Sequence, residues 1–177
     1  IGFDAMSFGD AIRSALRQDP NIILVGEMRD LETVRTAMKA AEMGFVVFST
    51  LHTTDAVKTI NRILDVFPGF QQQQVRFQLG ASLRAVCSQR LLPRADGKGR
   101  RMAMEIMRNN ATIKDHIENA EKTDSIKDII EAGRTQYGMQ SFDQHLTELY
   151  KEGVLSLEVA MDAASSPSDF QRALDFF

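Results

Sequence analysis

Four apolar residues, Ile22-Ile23-Leu24-Val25, run straight into Gly26-Glu27-Met28-Arg29-Asp30. A short, mostly β-branched run of this kind reads as a strand buried on both faces, as the strands of parallel sheets are. Glycine ends the run and a carboxylate follows at its C-terminal tip. In open α/β sheets, ligands bind at the carboxyl ends of the strands. Glu27 is therefore placed to act on a ligand. The plainer alternative is a glutamate that caps a helix or pairs with a neighbouring cation.

The flanking segments support a layered α/β arrangement. Ser7 to Asp19 reads as a helix capped by Ser7, with Phe8, Ala11, Ile12, Ala15 and Leu16 at helical spacing. Asp19-Pro20 stops it, because the residue before proline avoids the helical region. A second helix runs from Asp30 to Met43, capped by Asp30 and ended by Gly44, and Phe45 to Ser49 is a second buried strand. Strand, helix and strand in this order form a βαβ unit with a right-handed crossover and parallel pairing.

Further on, Thr54-Asp55 opens a helix that ends at Phe67-Pro68-Gly69, and Gln71 to Val86 reads as another. Cys87 falls in what looks like its apolar continuation, so it reads as a buried structural thiol. Leu91 to Arg94 and Arg101 to Met107 read as short strands joined by a turn at Ala95-Asp96-Gly97-Lys98-Gly99. From Ala111 the pattern is helical, with helices expected over 112–119, 125–132, 141–152, 156–164 and 168–174. The composition changes from α/β to all-α near residue 108. Residues 1–108 and 109–177 therefore read as two parts.

A second chemical cluster follows the second strand: Ser49-Thr50-Leu51-His52-Thr53-Thr54-Asp55-Ala56. A lone histidine is usually structural. Adjacent parallel strands, however, bring their C-terminal tips together, so His52 is expected beside Glu27. An imidazole N–H there suits a phosphate oxygen. Arg29 with Asp30 reads equally as a nucleotide contact or as a pair that shapes the turn. Gly97-Lys98-Gly99 is not a phosphate loop, since that loop needs Gly, four residues and Gly-Lys-Ser/Thr between a strand and a helix. His52, His116 and His145 are too scattered for a metal cluster, so no metal site is expected from the chain's own ligands.

The totals narrow the function classes. A net charge of −3 argues against a nucleic-acid partner. No apolar run approaches the roughly 20 residues of a membrane span. One cysteine in 177 residues excludes an internal disulfide and suits a reducing compartment. The chain begins Ile1-Gly2-Phe3-Asp4, without an initiator methionine or a signal peptide, so it reads as a piece of a longer protein.

Leu16-Arg17-Gln18-Asp19-Pro20-Asn21 through Asp30 resembles the Walker B signature of the secretion ATPase superfamily, the motors of type II secretion and type IV pili. Ser49-Thr50-Leu51-His52-Thr53 with Asp55-Ala56 resembles its His box. Asn61-Arg62-Ile63-Leu64-Asp65-Val66-Phe67-Pro68 and Gly138-Met139-Gln140-Ser141-Phe142-Asp143 resemble the twitching-motility retraction branch, the PilT/PilU type. Two departures stand out. Asn21 replaces the family's usual aspartate. Ala111-Thr112-Ile113-Lys114-Asp115-His116-Ile117-Glu118 matches the branch's Ala-Ile-Arg-Asn-Leu-Ile-Arg-Glu motif only loosely, which points toward PilU-like relatives. The four-Cys zinc motif common in extension and type II secretion motors is missing, which favours the retraction branch.

The resemblance implies the C-terminal half of a RecA-like P-loop ATPase core followed by an all-α subdomain. It implies an ATP- and Mg²⁺-dependent motor that works as a homo-hexamer on an inner-membrane pilus platform protein. Such a motor is cytoplasmic and peripheral at the inner face of the inner membrane, without membrane insertion or a nucleic-acid partner. Glu27 would be the general base and His52 the γ-phosphate sensor or an interface residue. Gly26, Arg29, Asp30, Thr50 and Thr53 would be nucleotide, phosphate or interface residues. The Walker A loop is not in this sequence, so these 177 residues alone are expected to be inactive, or to serve as a non-catalytic assembly module.

Overall fold

The computed structural model describes residues 8–18 and 20–175. Within them the chain is α/β, with two small sheets and ten α-helices. The expected cap at Ser7 and helix end at Asp19 lie outside the described residues. The chain falls into two compact units. The first comprises residues 1–53, 58–84 and 109–123; the second comprises 54–57, 85–108 and 124–177. The two units interleave along the chain instead of following one another.

In the first unit, helix α1 (Phe8–Ala15) and a 3-10 turn over Leu16–Gln18 lead into strand β1 (Ile22–Val25). Helix α2 (Leu31–Glu42) follows, then strand β2 (Val46–Ser49). Gly44, at φ 100°, makes the turn out of α2, a backbone region that side-chain-bearing residues avoid. β1 and β2 pair in parallel, Ile22 opposite Val46 through Val25 opposite Ser49, as the βαβ reading required. Ile23 and Val25 point into a core with Ile12, Ala37 and Ala40.

The other face of this sheet is open, contrary to the expected two-sided burial. Ile22 is 61% exposed, Leu24 76%, Val46 51% and Phe48 57%. The reason is architectural. Within this unit α1 and α2 cover one face, and an apolar run fit for burial on both sides leaves its second side bare.

Helix α3 (Ala56–Asp65) buries Ile60, Ile63 and Leu64. Helix α4 (Gly69–Ser82) packs against helix α5 (Ala111–Glu118), which Asn110 caps by accepting from Ile113 N. Arg76 ties this pair together by donating to Ile117 O and Thr123 Oγ1, each at 3.0 Å.

The second unit is built on an antiparallel hairpin, β3 (Ala85–Pro93) and β4 (Arg100–Arg108). Both strands are longer than expected, and α4 ends at Ser82, so Val86 belongs to a strand and not to a helix. Cys87 is exposed, which corrects its reading as a buried thiol. Strand alternation turns Ser88 inward and its neighbour Cys87 outward. Helices α6 (Ile126–Ala132), α7 (Arg134–Tyr137), α8 (Phe142–Lys151), α9 (Leu157–Ala163) and α10 (Pro167–Asp175) complete the unit. Ser141 and Gln144 form a capping box on α8. Ala103, Phe142, Leu146, Leu149, Leu155, Ala160 and Phe170 form the core.

Candidate active site

The parallel register does the positioning. Pairing Val25 with Ser49 leaves Gly26 and Thr50 side by side just past the two strand tips. Thr50 Oγ1 donates to Gly26 O at 2.5 Å, and Met28 N donates to Thr50 O at 3.3 Å. These two bonds lace the loop after β1 to the loop after β2. Glu27 and His52 project from the laced loops, and His52 Nε2 lies 3.3 Å from Glu27 Oε1. Arg29 Nε lies 2.6 Å from the same oxygen.

The three side chains differ in exposure. That of Glu27 is 22% exposed, against 73% for Arg29 and 81% for His52. Hydrogen bonding to the Arg29 guanidinium, with a smaller contribution from His52, holds the Glu27 carboxyl below the usual carboxylate range. Glu27 is thus ionised at neutral pH and able to accept a proton. Glu27, Met28, Arg29, Leu51, His52 and Arg62 line a cleft of about 500 Å³.

The remaining expected site residues divide. Gly26 and Thr50 brace the two loops. Asp30 caps α2, accepting from Thr33 N at 2.9 Å and Thr33 Oγ1 at 2.8 Å. Thr53 hydrogen-bonds Thr59 on α3 at 2.7 Å. Neither Asp30 nor Thr53 lines the cleft. Arg62 does, though sequence reasoning gave it no role. The available signal was its place on the helix that follows the His52 loop.

Arg29 and His52 against one carboxylate, with Arg62 lining the same cleft, suit a polyphosphate, whose oxygens accept charge-assisted bonds. A divalent cation is another matter. Among the described residues no group of three or more His, Cys, Asp or Glu is placed to hold a metal ion. The Glu27 carboxylate is already engaged by Arg29. The donor set here does not fit a protein cage for Mg²⁺.

A family model described as type II/IV secretion system protein matches residues 3–175. The chain belongs to this family. It is 47% identical over 167 residues to the type IV pilus retraction ATPase PilT of Pseudomonas aeruginosa, covering 94% of this chain and 48% of that protein. It is 37% identical over 171 residues to the type IV pilus ATPase PilU of the same organism, covering 97% of this chain and 44% of that one. Identity is thus higher to PilT than to PilU, despite the loose motif at residues 111–118. A crystal structure of the pilus retraction motor PilT with bound ADP superposes with a TM-score of 0.85 at 46% identity, over 97% of this chain and 47% of that one. The chain spans about half the length of the relatives it matches.

Proposed function

We propose that this chain supplies the water-activating half of a motor ATPase whose hydrolysis cycle drives type IV pilus retraction. The observation that carries the reading is the convergence of Glu27 and His52, from two neighbouring strand tips, on one cleft. Glu27 takes a proton from the attacking water. His52, Arg29 and Arg62 face the polyphosphate and offset the charge that develops in phosphoryl transfer. Gly26 and Thr50 keep the two loops in register. Asp30 and Thr53 act indirectly, by fixing the start of α2 and the approach to α3.

The phosphate-cradling loop, and with it the principal contacts to Mg²⁺, belongs to the other half of the ATPase core. That half also covers the open face of Ile22, Leu24, Val46 and Phe48. The likeness to the pilus retraction motor PilT supports a nucleotide-driven motor, and in this reading it is a homo-hexamer that works against an inner-membrane platform protein from the cytoplasmic side. Among the described residues no helix is long and apolar enough to cross a membrane.

The test is Glu27→Gln in the full-length protein. ATP binding, read by a fluorescent nucleotide, should persist. Hydrolysis should fall by roughly 10² or more, the scale of losing a general base. Near-normal turnover would refute the role of Glu27. The 177-residue chain alone should show no turnover above background, and steady hydrolysis by it would overturn the division of the site into two halves.

A further inference from the structure

The Glu27 carboxylate is held by more partners than a general base can use. Its Oε1 lies 2.6 Å from Arg29 Nε and 3.3 Å from His52 Nε2. Arg29 comes from the same loop, His52 from the loop after β2, and Arg62 of α3 lines the cleft beside them. All of these residues belong to the first unit. The guanidinium is the nearer partner and the main cause that holds the carboxyl below its usual range. A base works best when its pKa lies near the working pH, and a carboxylate bound to a cation takes a proton less readily. The contact with Arg29 therefore opposes the task of the residue it touches.

The same guanidinium has a second acceptor within its chemistry. Its planar fork of N–H donors fits a phosphate as well as a carboxylate. The Arg29 side chain is 73% exposed, and ion pairs so open to water shift an equilibrium by no more than about fivefold. A polyphosphate in the cleft offers several charged oxygens and can outbid one carboxylate for such a loosely held cation. The backbone has no need to move. Met28 N is bonded to Thr50 O at 3.3 Å, and Asp30 caps α2, so the chain is anchored on both sides of Arg29. The side chain can change acceptor by rotating its own torsions, while the laced loops keep Glu27 in place.

We propose that Arg29 gates the general base: the Glu27 carboxylate and a polyphosphate in the cleft compete for its guanidinium, so that the arriving phosphate frees Glu27 for the attacking water. The proposal rests on the catalytic reading given above and adds a control on when Glu27 can act. Water activation is then tied to an occupied cleft. The coupling is reciprocal: as phosphate weakens the ion pair, the ion pair weakens phosphate binding. A carboxylate that merely steers Arg29 toward the phosphate would have the opposite effect and strengthen binding. The sign of the coupling therefore decides between the two.

The test is a double-mutant cycle in the full-length protein, read as the Kd of a fluorescent, non-hydrolysable ATP analogue. Glu27→Gln should tighten binding, because it removes a charge that repels phosphate and also releases Arg29. On an Arg29→Gln background the same substitution relieves only the repulsion. The gain on the wild-type background should therefore exceed the gain on the Arg29→Gln background by about threefold to fivefold, the upper scale of an exposed ion pair. Equal gains on the two backgrounds would overturn the proposal. A smaller gain on the wild-type background would overturn it too, since it marks Glu27 as a residue that holds Arg29 toward the phosphate. The analogue is not hydrolysed, so the cycle reads the competition alone. Failure of the catalytic reading shows separately, as retained ATP hydrolysis in Glu27→Gln.

Discussion

Asp30 reads from the sequence as the cap of α2 and also as a nucleotide contact or a turn-shaping residue, and in the structure the capping role is the one its bonds perform. Its carboxylate holds Thr33 twice, through the backbone N–H at 2.9 Å and the hydroxyl at 2.8 Å. Removing it with Asp30→Ala strips the N-cap of α2, a loss of about 1 kcal/mol. It also orphans the Thr33 hydroxyl on a residue that is only 1% exposed. An unsatisfied buried hydroxyl costs about 1–3 kcal/mol, toward the lower end here because a helical threonine can turn to a carbonyl one turn back. The sum is about 2 kcal/mol. Urea unfolding of the chain, followed by circular dichroism at pH 7, reads it. A second substitution separates the two contributions: Thr33→Val on the Asp30→Ala background removes the orphaned hydroxyl and should restore about 1 kcal/mol. The pH dependence is a further check. The Thr33 bonds hold the Asp30 carboxyl below its ordinary range. Its stabilisation is therefore present above the unfolded value of about 3.9 and is lost as pH falls through the folded one. The gap between wild type and Asp30→Ala should narrow below about pH 4. A loss under about 0.5 kcal/mol at pH 7, or a double variant no more stable than the single one, would refute the capping argument.

Two further outcomes concern the second unit. Leu146 is fully buried among Ala103, Phe142, Leu149 and Leu155, so Leu146→Ala should cost about 3 kcal/mol and lower the melting temperature of the helical part. A loss under about 1 kcal/mol would show that the core closes over the gap. His145 Nδ1 accepts from Met104 N at 2.9 Å, which requires that nitrogen to carry no proton. Burial is the main cause that lowers its pKa. The unfolded chain therefore binds the proton more readily, and stability should fall as pH drops through the unfolded value of about 6.5. Melting temperatures between pH 7.5 and 5.5 should show this in wild type, and the slope should flatten in His145→Gln.

The readable parts of the fold are those whose causes are local. Asp30, the apolar stripe of α2 and Gly44 announce that helix and both its ends within fifteen residues. Ile22–Val25 and Val46–Ser49 follow from composition, and their parallel pairing follows from the helix between them. The meeting of Glu27 and His52 was legible for the same reason: two tips of adjacent parallel strands have nowhere else to go. Periodicity failed at residues 83–87. There Leu83-Arg84-Ala85-Val86-Cys87 continues an apolar helical pattern as well as it begins a strand. The helix is stopped instead by a residue far along the chain. Asn109 Nδ2 donates to Gly80 O at 2.9 Å and to Leu83 O at 2.7 Å, taking up carbonyls at the end of α4.

That long-range cap has the same logic as the bond from Ala56 to Glu105. In both, a polar side chain at one end of the β4 region satisfies the free backbone groups of a helix terminus dozens of residues away. Neither Asn109 nor Glu105 belongs to a motif, and neither sits at a position where helical or strand period marks it as special. A helix end needs partners: local side chains cap the starts of α2, α5, α8 and α9, while one N–H at the start of α3 and two carbonyls at the end of α4 are met by residues far along the chain. When local chemistry leaves such a group open in a buried place, the fold must bring a partner from elsewhere, because leaving it unmet costs on the order of 1–3 kcal/mol.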